Sequence, residues 1–150
     1  MSSQLNVDTI VDKAGSGGTN VKIGNTSTYV SDGGAVTQNT VQGLCKSWID
    51  FKGTSTAGIN DSFNIGSLTD LDTGKFRVTF TNDMSSGDYT IVGSAFYSQG
   101  GGFDDTMVVS RDTTQTQTAS VSPFYIYRLS SSEAIADPKE AHILYHGDLA

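Results

Sequence analysis

The chain is short of most of the residues on which chemistry depends. It has one cysteine, Cys45, so no disulfide can form within it; packing and hydrogen bonds must hold the fold, and a reducing place of assembly fits. It has two prolines and only two histidines, His142 and His146. Nine Lys and Arg stand against sixteen Asp and Glu, for a formal net charge of -7. Binding a phosphate backbone needs a basic surface, so nucleic acid is not expected as a partner, and an anionic membrane is disfavoured for the same reason. No segment approaches the roughly 20 apolar residues of a membrane span. The opening MSSQLNVDTIVDKAG has neither a basic region nor an apolar run of signal-peptide length. The expectation is a soluble protein with no membrane insertion and no visible export signal. Any role outside a cell would depend on lysis or on a particle that carries it.

What is present is polar but not highly charged. Hydrophobic residues make up 36% of the 150 and charged ones 17%. Ser, Thr and Gly together account for roughly a third, above the usual share. The polarity therefore comes from hydroxyl and amide groups, unlike that of disordered chains, and order is expected. The length suits one ordinary core plus an appendage, and the modest supply of apolar side chains favours an oligomer.

No long apolar period of 3.6 residues appears, whereas short β-signals recur between turn residues. Trp48 to Phe51, Ile59 to Ile65, Phe76 to Phe80 and Tyr89 to Val92 are each bounded by Gly, Ser, Asp or Asn. In GKFRVTF, Phe76, Val78 and Phe80 alternate with Lys75, Arg77 and Thr79, which gives one face for the core and one for water. Asp72-Thr73-Gly74 supplies the turn before it, with Ser67 to Leu71 as the hairpin partner. Further strands are expected at Thr106 to Ser110, Gln115 to Val121, Phe124 to Leu129 and Ala141 to His146, with room for one helical turn between Ser130 and Glu140. The fold class is all-β, an antiparallel β-sandwich of jelly-roll type.

Residues 1–42 differ from the body at 43–150. Their β-branched bursts are separated by AGSGG and SDGG, and none is long enough to bury a face by itself. This N-terminal β-rich arm is expected to dock on a neighbouring chain, with Leu5, Val7, Ile10, Val21 and Ile23 as its assembly contacts.

The pattern WIDFKGT, INDSFNIGSLTD, TGKFRVTFTNDM and DYTIVGSA resembles a module of structural proteins of marine tailed bacteriophages, chiefly tail fibres. The matching positions include Trp48, Phe51, Gly53, Thr54, Ile59, Ser62, Phe63, Asn64, Ile65, Thr69, Asp70, Gly74, Phe80, Met84, Tyr89 and Val92. The opening LNVDTIVDKAGSGGTNVKI also resembles the adaptor-like start of marine phage and cyanophage virion proteins. The resemblance implies a β-sandwich that assembles as a threefold fibre or knob on the virion, built in the host bacterial cytoplasm, and it implies no catalysis.

Candidate chemistry is sparse. Asp70 to Gly74 begins like a calcium loop but lacks the downstream bidentate Glu, and a hairpin turn explains the same residues. On a strand His142 and His146 would face the same side, with no carboxylate or third ligand at a helpful spacing, so no metal is expected. Cys45 reads as a small buried apolar residue. There is no G-x-S-x-G elbow, and the glycine clusters lack the Lys-Ser/Thr of a phosphate loop. No catalytic residue, metal or cofactor is expected. The Gly-rich loop Ser98 to Asp105 is the expected exposed tip, where Tyr97, Phe103, Asp104 and Asp105 would meet a host-surface glycan or protein.

The expected protein is therefore a non-enzymatic virion subunit, a homotrimeric short fibre or fibre-like appendage that holds other virion proteins through its arm. A capsid decoration protein is the alternative. A carbohydrate-active enzyme would need a held pair of carboxylates, and none stands out in the sequence.

Overall fold

Alternation sets the strands of this protein. Residues 28–30, 37–39, 43–97, 105–129 and 134–148 are described by a computed structural model, and every regular element among them is a strand. The chain divides into two compact units, Met1–Gly43 and Leu44–Ala150. In the first, β1 (Thr28–Val30) pairs antiparallel with β2 (Thr37–Asn39), placing Tyr29 opposite Gln38. The arm contacts named above, Leu5, Val7, Ile10, Val21 and Ile23, lie outside the described residues.

The second unit contains β3 (Ser47–Lys52), β4 (Gly58–Phe63), β5 (Ile65–Asp72), β6 (Lys75–Phe80) and β7 (Thr90–Tyr97). It continues with β8 (Asp105–Arg111), β9 (Val121–Arg128), β10 (Ala134–Ile135) and β11 (Glu140–His146). All ladders are antiparallel, in the order β4-β3-β11-β7-β8-β9-β6-β5, with β10 added beside β9. The sheet folds over so that β3 faces β6 and β9. Phe51 meets Phe76 edge-on at 5.1 Å between ring centroids and Phe124 at 5.9 Å. A second aromatic group, Phe80, Tyr89 and Tyr145, fills the same core with T-shaped contacts of 5.1 to 6.0 Å. Ile49, Val78, Met84, Ile126 and Ile143 complete it. The all-β antiparallel fold expected from the alternation is the fold observed, with its two walls joined into one sheet that is nearly closed into a barrel.

The two ends of the sheet, β4 and β5, are consecutive in the chain and meet at Asn64. Asn64 takes φ 58°, a left-handed conformation that Asn tolerates better than most residues. Its side chain donates to Lys46 O at 3.2 Å and Asn82 O at 3.1 Å, and accepts from the Asn82 N–H at 2.7 Å. One amide thus ties the start of β3 to the end of β6 at the seam. Asn64→Ala should cost about 1–3 kcal/mol, read from urea midpoints, because it strips these partners and leaves a Cβ residue at positive φ. Asn64→Gly should cost less, since it keeps the backbone conformation.

The Asp72-Thr73-Gly74 turn is where the sequence places it. Gly74 has φ +64°, and a Cβ there would lie 2.2 Å from Ile135 Cγ2 and 2.6 Å from the Ala136 nitrogen. The expected strand at Gln115 to Val121 is not formed before Val121. Side chains satisfy this segment instead. The Thr114 hydroxyl and N–H donate to Asp112 at 2.6 and 2.9 Å, and the hydroxyl bond is the main reason the Asp112 carboxyl is held below its usual pKa. Gln117 Nε2 donates to Gly87 O at 2.6 Å. In the region read as a helical turn, the described residues Ala134–Ile135 form β10.

Candidate functional site

The wall β4-β3-β11-β7 sends its core residues inward and leaves an outer face whose register can be followed strand by strand. Trp48 stands opposite Phe63 on one side and Leu144 on the other, and Leu144 stands opposite Val92. The result is an apolar row across four strands. Phe63, Leu144 and Val92 are 54%, 49% and 56% exposed, and Trp48 is half-buried. Isolated exposed apolar residues are common on any protein, but four in register on one face form a patch.

The next row is polar. Asp61 lies opposite Asp50, Asp50 opposite His142, and His142 opposite Ser94. Apart from Phe63, the two rows line an open groove of about 500 Å³ bounded by Trp48, Asp50, Asp61, Ser94, His142 and Leu144, among others. A β-bulge between Asp50 and Phe51 leaves Asn60 outside the pairing of β3 with β4. The Asn60 amide then donates to Asp50 Oδ1 at 3.0 Å.

His142 joins this row to Glu140, two residues earlier on the same face of β11. Its Nε2 lies 3.2 Å from Glu140 Oε1 and its Nδ1 lies 3.9 Å from Asp50 Oδ1. One donor atom from each of Asp50, Glu140 and His142 falls within 4.8 Å of the others. This corrects the expectation that the histidines have no carboxylate at a useful spacing. Glu140 sits at the two-residue spacing that a strand requires, and Asp50 arrives through the β3–β11 register. His146 shares the exposed side of the strand but is not part of the cluster.

Other sequence-derived candidates are placed differently. Tyr97 ends β7, is half-buried against the core, and has the Arg128 guanidinium over its ring at 5.5 Å. Asp105 begins β8 opposite Tyr97, while Phe103 and Asp104 lie outside the described residues. Cys45 is exposed rather than buried, because it precedes β3 instead of lying in it; its thiol donates to Ser47 O at 3.1 Å. Tyr145 is fully buried in the core. No protein-family model, curated protein or solved structure matches the chain.

Proposed function

We propose that the protein is a non-enzymatic structural subunit of a marine tailed-phage virion, a short trimeric fibre or fibre-like appendage anchored through residues 1–42. The body associates with further copies of itself through the outer face of β4-β3-β11-β7. The observation that carries this reading is the in-register row Phe63, Trp48, Leu144 and Val92, left open to solvent in a chain with little apolar material to spare. The phage assignment rests on the sequence pattern from Trp48 to Val92, and the trimer on what that pattern implies.

A trimer is the expected result of sedimentation equilibrium at micromolar concentration. Val92→Asp combined with Leu144→Asp should give a monomer with an unchanged far-UV circular dichroism spectrum, because both side chains point away from the core. Wild-type protein that sediments as a monomer would remove the self-association. On the virion, density at the tail would support the fibre, while density at capsid threefold positions would support a decoration protein instead. Turnover of host polysaccharide by the purified protein would overturn the non-enzymatic reading.

A further inference from the structure

We propose that Asp50, Glu140 and His142 form a binding site for a divalent transition-metal ion, with Zn²⁺ the best-matched species. The proposal stands independently of the virion reading. Three observations support it. The donors come from two hydrogen-bonded strands whose register fixes Asp50 directly opposite His142, so a folded sheet presents them without a loop having to order. Ligand atoms in a tetrahedral zinc site with bonds of ~2.0–2.1 Å stand about 3.3 Å apart. The separation of 3.2 Å between His142 Nε2 and Glu140 Oε1 is already at that value, while the 3.9 Å to Asp50 runs from the other ring nitrogen, Nδ1. Only one ring nitrogen can hold the ion; one ligand atom from each of the three residues lies within 4.8 Å of the others, a spread that closes by rotating side chains that border solvent.

The bulge supplies the second element. By leaving Asn60 unpaired in the β3–β4 ladder it aims that amide at Asp50, the kind of outer hydrogen bond that orients a metal-binding carboxylate. Charge is the third. Two carboxylates converge on one imidazole, and among the described residues His142 is the only basic group within ion-pair range of either. A dication balances the pair of carboxylates in a chain whose net charge is already -7.

The donor set selects the class of ion. One imidazole nitrogen with two carboxylate oxygens suits Zn²⁺ and its neighbours in the first transition row, whereas Ca²⁺ and Mg²⁺ prefer oxygen alone. Three protein ligands leave at least one coordination position to water or an incoming oxygen ligand. Asp50 and His142 also line the groove beside Trp48, on the face proposed above for self-association.

The test is isothermal titration of ZnCl₂ into untagged, EDTA-treated full-length protein, with CaCl₂ and MgCl₂ titrated in parallel. One saturable Zn²⁺ site per chain is expected, with no saturable heat from CaCl₂ or MgCl₂ at the same concentrations. His142→Ala and Asp50→Asn should each weaken Zn²⁺ binding at least about tenfold, and Glu140→Gln should also weaken it. His146→Ala, on the same strand but outside the cluster, should change it less than twofold. Replacing Zn²⁺ by Co²⁺ gives a second readout, visible absorption bands that His142→Ala abolishes while the far-UV spectrum is retained. Absence of saturable Zn²⁺ binding, or binding that His142→Ala and Asp50→Asn leave within twofold of wild type, would overturn the proposal.

Discussion

Phe76→Ala is expected to cost about 3–5 kcal/mol, toward the upper end of what truncating a core aromatic removes. Phe76 is fully buried and contacts both Phe51 and Phe124, so its ring joins the two walls of the sheet. The cavity has little means of collapsing. A Cβ on Gly53 would lie 2.7 Å from Phe76 Cζ and 2.5 Å from Pro138 Cδ, which shows how closely backbone and ring already approach. That backbone is also fixed, because the N–H groups of Gly53 and Thr54 both donate to Pro138 O, at 2.8 and 3.1 Å. With about 5–15 kcal/mol available to a typical domain, such a loss leaves the variant marginal. Urea unfolding followed through Trp48, the single tryptophan, measures it. Val92→Ala, on the exposed row, should shift the stability of the dissociated subunit by less than about 0.5 kcal/mol. A Phe76→Ala cost below about 1 kcal/mol would show that the Phe51–Phe76–Phe124 cluster does not hold the walls together.

The contrast between Phe76 and Val92 also shows how far the fold can be read from residue order. Alternation in Lys75–Phe80 marked the buried face of β6, and the observed burial follows it residue by residue. Asp72-Thr73-Gly74 announced its turn because the backbone there needs a positive φ that Gly supplies. Gln115 to Val121 misled because Thr and Gln in alternation resemble a strand. Their side chains and the Asp112 carboxylate satisfy the local polar groups instead. Ile59 to Ile65 carries enough β-signal for one strand, and the break at Asn64 is set by its contacts with Lys46 and Asn82. The candidate site was half legible. Glu140 and His142 are two apart on an evident strand, so their shared face follows from period two alone. Asp50 joins them only through the pairing of β11 with β3, and no local pattern encodes which distant strands become neighbours. The apolar row had the same obstacle. Phe63, Trp48, Leu144 and Val92 come from four strands and form a patch only once the register is known.

Stability should fall steeply above pH 10, and two buried phenols set the direction. Burial pushes the Tyr89 hydroxyl up to about 12, against smaller opposing effects of the Ser122 hydroxyl and the Arg111 charge. Tyr145 is fully buried and is raised further, again chiefly by burial, with Ser122 opposing and the neighbouring Tyr89 adding to the rise. In the unfolded chain both would ionise near the ordinary value of about 10. Between that value and the folded one, the unfolded state has released protons that the native state still holds. Unfolding is then favoured by about 1.4 kcal/mol per pH unit for each phenol, or about 2.7 for the pair. Below pH 10 both states are protonated and these groups give no slope. The window is therefore pH 10 to 12 for Tyr89, with Tyr145 contributing from pH 10 upward. Urea midpoints at pH 9, 10 and 11 should show little change over the first step and a marked loss over the second. Tyr145→Phe should be nearly neutral at pH 8, because the hydroxyl has no hydrogen-bond partner within bonding geometry, yet it should flatten the alkaline fall. Tyr89→Phe gives up the bond to Val121 O at 2.9 Å and should cost about 1 kcal/mol at pH 8, while flattening the slope further in the double variant. An alkaline slope that is the same in wild type and double variant would mean that these phenols do not govern the loss, and that the core around Phe80 and Ser122 admits water well before the fold opens.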